Sequence, residues 1–193
     1  DAGVHAEAQV ANFLLEREMA EDELLRAINA NLPHDVRAKQ VEIVPPDFHA
    51  RHDAVEKTYR YRMFLGRVVS PFLYRYVYHL IFPVDVAAMQ RAAQSLVGEH
   101  DFASFSTRER KGKATVRCVT ELKLWQEGDL LTLEISANGF LRYMVRTIAG
   151  TLCEVGRGRI AVEAMPQILE ARDRGRAGPT LPAKGLTLIR VRY

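Results

Sequence analysis

Asp1 opens the run Asp1-Ala2-Gly3-Val4-His5-Ala6, and an apolar stretch, Gln9 to Leu14, follows it. A glycine-containing turn feeding a strand would hold a carboxylate rigidly over a cleft. An ionised carboxylate fixed in that way can attack an electrophilic carbon or take up a proton. Burial in a dry pocket would push its carboxyl group toward the neutral form, and a guanidinium beside it would favour the anion. Arg142 and Arg146 stand one helical turn apart in Phe140–Val155, so both can project from one side of a helix. By spacing alone they are ordinary exposed arginines opposite an apolar stripe. Tyr59 and Tyr61 share one face of an alternating stretch, and the pattern does not choose which phenol reaches a site and which is a core aromatic.

Other chemistries find no support. No His, Cys or carboxylate cluster has metal-ligand spacing, and no glycine-rich run is shaped to cradle a phosphate. Cys118 and Cys153 form neither a C-x-x-C pair nor a zinc pattern, and they read as buried, reduced thiols of a cytoplasmic protein. The most apolar stretch, Val68 to Val84, is broken by Pro71, Arg75 and His79 and cannot span a bilayer. No charged-then-apolar leader heads the chain, which has no initiating Met, so its first residue reads as a processed or cleaved boundary. With 193 residues, 48% hydrophobic and 26% charged, the composition is that of a globular protein able to bury a core. The net charge of +3 and pI near 9.0 lean only mildly toward polyanions. Distribution says more: Arg108, Arg110, Lys111, Lys113 and Arg117 crowd one segment that holds the single acid Glu109. Such a run is either a solvated loop or an arm laid along phosphates.

Periodicity supplies the elements that must position these groups. Gln9–Leu14 and Val36–Val44 read as strands flanking a helix, Ala20–Leu32, with Leu24, Leu25, Ile28 and Leu32 at helical spacing. Lys57–Leu65 alternates as a half-exposed strand. Asp85 is placed to cap a helix carrying Val86, Met89, Ala93 and Leu96, with Gly98 as its stop. Val116–Trp125 and Leu130–Ala137 form a hairpin across Glu127-Gly128-Asp129. Phe140–Val155 is the strongest helix, ended by Gly156, and a shorter one runs from about Glu163 to Arg172 with Pro166 in its first turn. Arg176–Ala183 reads as a Gly/Pro-rich linker before a last strand, Leu186–Tyr193.

The opening run resembles the nucleophile loop of the bacterial tRNA pseudouridine synthase A family. Further blocks follow in that family's order: Phe48-His49-Ala50-Arg51, Lys57-Thr58-Tyr59-Arg60-Tyr61, and His100-Asp101-Phe102-Ala103-Ser104-Phe105. Asn138-Gly139-Phe140-Leu141-Arg142-Tyr143-Met144-Val145-Arg146 and Lys184-Gly185-Leu186 complete the series. The resemblance implies an α+β fold of two ferredoxin-like halves whose antiparallel sheets join around an RNA cleft, the first half incomplete here. Residues 1–46 would be the remnant of the N-terminal domain with the catalytic loop, and 47–193 the C-terminal domain. It implies isomerisation of uridine to pseudouridine in the tRNA anticodon stem-loop, without a cofactor, by a homodimer. Asp1 would be the nucleophile, Arg146 its partner and Tyr59 a contact to the target base. Leu186 would pack on that base, while Arg51 and Arg142 would contact the RNA. Arg108, Arg110, Lys111 and Lys113 would bind tRNA phosphates. The chain departs from the family in having Ala8 where Gly is usual and in lacking the Arg-Thr that precedes the Asp. The rival reading is a non-catalytic RNA-binding α+β module with an idle Asp, and a third is a basic protein-interaction domain.

Overall fold

The computed structural model describes residues 1–107 and 114–193, so the segment carrying Arg108, Arg110, Lys111 and Lys113 lies outside the described residues. The described residues form two compact units: Asp1–Gln9 with Ala54–Tyr193, and Val10–Asp53. The larger unit is α+β. Its mixed sheet contains β1 (His5–Ala6), β2 (Glu56–Phe64), β3 (Tyr78–His79), β4 (Gly98–Asp101), β5 (Val116–Glu127), β6 (Leu130–Ala137) and β7 (Leu186–Arg192). The strands lie in the order β1-β7-β2-β6-β5-β4, with β3 also paired to β2. β1 runs parallel to β7 and β3 parallel to β2, and the other pairs are antiparallel.

Alternation decides what the sheet buries. Tyr61 and Met63 of β2 and Leu131, Leu133 and Ile135 of β6 point into one core and are fully buried. The intervening Arg60 and Glu134 pair on the opposite face at 2.8 Å. That core also takes Met89, Ala92 and Leu96 around the helix α2 (Val86–Gln94) and Ile148 and Leu152 of α3 (Met144–Gly156). It also takes Met165, Ile168 and Leu169 from α4 (Met165–Ala171). Asp85 caps α2 by accepting from the Ala88 N–H at 2.9 Å, as its sequence position requires. The helix ends at Gln94, and Gly98 instead opens β4 with φ +107. Pro166 sits in the first turn of α4. Among the described residues no helix is long and apolar enough to cross a membrane.

Two expectations change at the ends of α3. The helix begins at Met144, not Phe140, because Tyr143 adopts a left-handed backbone with φ +65. It also runs through Gly156 to a cap at Arg157. The linker beyond α4 is not a loose spacer. Residues 178–181 lie along α3: Gly178 N–H donates to Thr151 Oγ1 at 2.9 Å, the Thr147 and Thr180 hydroxyls bond at 2.9 Å, and Leu181 N–H donates to the Arg146 carbonyl at 3.2 Å. Gly150 lets the strap approach so closely, since a Cβ there would stand 1.8 Å from the Pro179 carbonyl oxygen.

The smaller unit holds α1 (Glu21–Asn31), as the spacing of its leucines predicts. Its three acidic first-turn residues complement the helix dipole. The two strands expected around it do not form: Gln9–Leu14 and Val36–Val44 have no regular pairing. A strand exists through a ladder of hydrogen bonds to its neighbour, and among the described residues neither segment is a strand of the sheet. Val36–Val44 is tied instead to α1, with the Ala38 N–H donating to Asn29 Oδ1 and the Ile43 N–H to Glu21 Oε1, both at 2.9 Å. Phe13, Leu14 and Ile43 are accordingly exposed.

Candidate active site

The Asp1 loop is built by a tight turn. Val4 N–H donates to the Asp1 carbonyl at 3.3 Å, and Gly3 takes φ +81 at the turn's third position, where a residue with a Cβ is strained. The chain then enters β1, which pairs His5 with Thr187 and Ala6 with Leu188 of β7. The Glu7 N–H donates to the Leu188 carbonyl at 2.8 Å and continues that ladder. The His5 ring braces the loop from the other side: Nε2 lies 2.9 Å from the Arg75 carbonyl, and the ring sits 4.9 Å from that of Tyr76.

Arg146 meets Asp1 from the first turn of α3. Its Nη1 donates to Asp1 Oδ2 at 3.2 Å, and its Nε donates to the Leu181 carbonyl at 2.7 Å. Both side chains are largely removed from solvent, with 14% of the arginine side chain and 24% of the aspartate side chain exposed. The strap therefore has a second role: it supplies the carbonyl that orients the guanidinium. Beside this pair, the guanidinium carbons of Arg142 and Arg146 both lie 4.8 Å from the centre of the Tyr143 ring.

The two tyrosines of β2 separate clearly. Tyr61 is fully buried and donates its hydroxyl to the Pro182 carbonyl at 2.8 Å, so it is a core aromatic. Tyr59 is only half-buried, and the edge of one ring meets the face of the other where it contacts Phe140 at 5.1 Å. Burial raises the Tyr59 hydroxyl above its usual 10.0, so the group stays protonated and hydrogen-bonds as a neutral phenol at neutral pH. Sheet register puts Tyr59 opposite Leu188, which in turn pairs with Ala6 of the Asp1 loop. Leu186 pairs with Tyr61, is 6% exposed and packs within the core. Arg51 belongs to the smaller unit, in an exposed turn where Asp53 Oδ2 accepts from the His49 N–H at 2.7 Å. Among the described residues, no group of three or more His, Cys, Asp or Glu side chains is placed to hold a metal ion.

Sequence reasoning missed the Leu181 carbonyl and Phe140 as supports. The small residues Thr147, Gly150 and Thr151 on α3 were the available signal, since a face that narrow admits a backbone. The block His100–Phe105 is structural: Phe102 and Phe105 are fully buried, and the Ser104 hydroxyl donates to the Ile168 carbonyl at 2.6 Å.

Residues 92–193 match the family model described as tRNA pseudouridine synthase. A tRNA pseudouridine synthase A of Acetivibrio thermocellus is 43% identical over 193 residues, covering all of this chain and 79% of the relative. The chain belongs to this family. The tRNA pseudouridine synthase A of Moorella thermoacetica is 45% identical over 193 residues, again across the whole chain and 78% of the relative. That of Halalkalibacterium halodurans is 44% identical over 186 residues, covering 96% of this chain and 71% of the relative. Family membership thus rests on the full length of the chain, including the Asp1 loop and α3.

Proposed function

We propose that this chain isomerises uridine to pseudouridine in tRNA, with Asp1 as the reacting carboxylate. The observation that carries the reading is the bond from Arg146 to Asp1, made by a guanidinium whose other edge is fixed on the Leu181 carbonyl. The reaction breaks the N1–C1′ bond, turns the base and joins C5 to C1′. The C5 proton leaves and N1 gains one, so substrate and product are isomers and no redox partner is required. An anionic Asp1 can attack the base, attack the sugar or remove a sugar proton, and each route needs the same fixed anion. Arg146 holds that anion and keeps the carboxylate in one orientation. Tyr59, protonated and half-buried, offers a neutral hydroxyl to the base, and Leu186, 6% exposed, contributes to an apolar wall beside it only the edge that the core leaves open.

The substrate region of this proposal is the anticodon stem-loop. A uridine stacked there must be flipped out, at a cost of about a few kcal/mol, before a carboxylate can reach it. Arg51, Arg142 and the segment with Arg108, Arg110, Lys111 and Lys113 supply the cations for phosphates, which position the RNA without reading its sequence. Homodimerisation, a fold of two ferredoxin-like halves around an RNA cleft and a division into domains 1–46 and 47–193 complete the proposal. It needs no metal or cofactor, and the compartment is the cytoplasm.

Tritium release from tRNA labelled at uridine C5 tests the proposal. The intact protein should release tritium with repeated turnover. Tight, salt-sensitive tRNA binding without release would instead identify a non-catalytic RNA-binding module, for which an Asp–Arg pair has no use.

A further inference from the structure

Tyr143 occupies a backbone conformation that a tyrosine rarely adopts. With φ +65 it is one of two non-glycine residues in the left-handed region among the described residues. Asn or Gly would sit there with less strain, so the local backbone alone does not account for an aromatic ring. The consequence of the conformation is where the ring goes. Tyr143 is the N-cap residue of α3, and Arg146 stands three residues further on, in the first turn of the helix. There the ring centre is 4.8 Å from the Arg146 guanidinium carbon, within the range at which a cation is attracted to an aromatic face.

A guanidinium is a flat group with in-plane donors and two faces. Arg146 uses Nε on the Leu181 carbonyl and Nη1 on Asp1. Two in-plane bonds still leave it free to rock about the line joining them, and an aromatic ring whose centre stands 4.8 Å from the guanidinium carbon restricts that motion. Asp1 sits on an exposed turn, so a rocking Arg146 would carry the carboxylate with it. We infer that Tyr143 is a positioning residue: its ring fixes the tilt of the Arg146 guanidinium and thereby the orientation of the Asp1 carboxylate. The inference rests on the reading of Asp1 as the reacting group. The ring also meets Arg142, whose Nη2 donates to the Tyr143 hydroxyl at 2.9 Å. Arg142 thus meets both ring and hydroxyl, whereas Arg146 meets the ring, and two substitutions separate the ring's contribution from the hydroxyl's.

Tyr143→Asn keeps a residue that tolerates the left-handed backbone and removes the ring. Tyr143→Phe keeps the ring and removes the hydroxyl. In the intact protein, three quantities decide the question: the single-turnover rate of tritium release, the tRNA dissociation constant and the melting temperature. Tyr143→Asn should slow the single turnover about tenfold, as small misplacements of reacting groups do. Its tRNA affinity should stay within about twofold of the parent, because the ring acts after binding. Its melting temperature should not fall, and Tyr143→Phe should retain the parent rate. A parent rate in Tyr143→Asn would overturn the inference, as would a loss confined to affinity, a loss that tracks a falling melting temperature, or an equal loss in Tyr143→Phe. Asp1→Ala run alongside separates the two levels. If it is inactive while Tyr143→Asn turns over normally, only the positioning role falls; if Asp1→Ala keeps the parent rate, both fall.

Discussion

Helices α1 and α3 both carry apolar residues at helical spacing, and they meet opposite surroundings. α1 buries none of its residues, whereas α3 buries all but Arg146 and Glu154. The difference lies outside the helices. α3 is covered on both sides, packing with sheet residues such as Tyr61 and Met63 in one core while the strap of residues 178–181 runs along it. Among the described residues of the smaller unit, Val10–Asp53, no side chain is fully buried. Amphipathic spacing therefore states which face is apolar, and a second surface decides whether that face is removed from water. The Arg146 guanidinium follows the same logic: it projects from the helix packed on two sides, and its Nε and Nη1 each donate to a protein oxygen.

Truncating one side chain in each helix would break or sharpen this contrast. Leu152→Ala opens a cavity under α3 and should lower unfolding free energy by about 3 kcal/mol. Leu24→Ala, at a half-buried site on α1, should cost less than about 1 kcal/mol. Urea unfolding of the intact protein compares the two, and equal losses would show that α1 is packed as firmly as α3.

A smaller effect separates the units by pH. Burial raises the Tyr59 and Tyr61 hydroxyls and pushes the Cys153 thiol up to about 12 from 9.0, and all three lie in the larger unit. The smaller unit contains no Tyr or Cys. Each folded pKa lies above its unfolded value, so the folded state binds more protons between the two. This contribution to stability is complete below about pH 9 and is lost as pH rises toward 12. Urea midpoints should fall over that window, and Cys153→Ala should flatten the fall. A midpoint that does not move between pH 9 and 11 would contradict the burial of these groups.

Much of the larger unit was legible because its signals are local. The hairpin across Gly128, the Asp85 cap, the Pro166 helix start and the last strand each follow from a residue whose conformation or hydrogen bonding is restricted. The strands expected at Gln9–Leu14 and Val36–Val44 did not form, because pairing is a property of a neighbour and not of the segment itself. The start of α3 was misplaced because apolar spacing continues through Leu141, which is buried, while the left-handed turn at Tyr143 leaves no mark in the pattern. For the candidate site, Tyr59 and Tyr61 were indistinguishable by alternation. Packing separates them, since Gly185 and the Pro182 carbonyl close over Tyr61. Gly and Pro mark the strap as irregular backbone, and they do not say whether that backbone is free or bound.

The central claim is that a fixed anion at Asp1 performs the isomerisation, and Asp1→Asn addresses it most directly. The substitution keeps size and polarity, keeps a group that Arg146 can donate to, and removes only the negative charge. Measured as tritium release from C5-labelled tRNA by the intact protein, the account predicts no release above the enzyme-free control, with tRNA affinity unchanged. Release at the parent rate would contradict it.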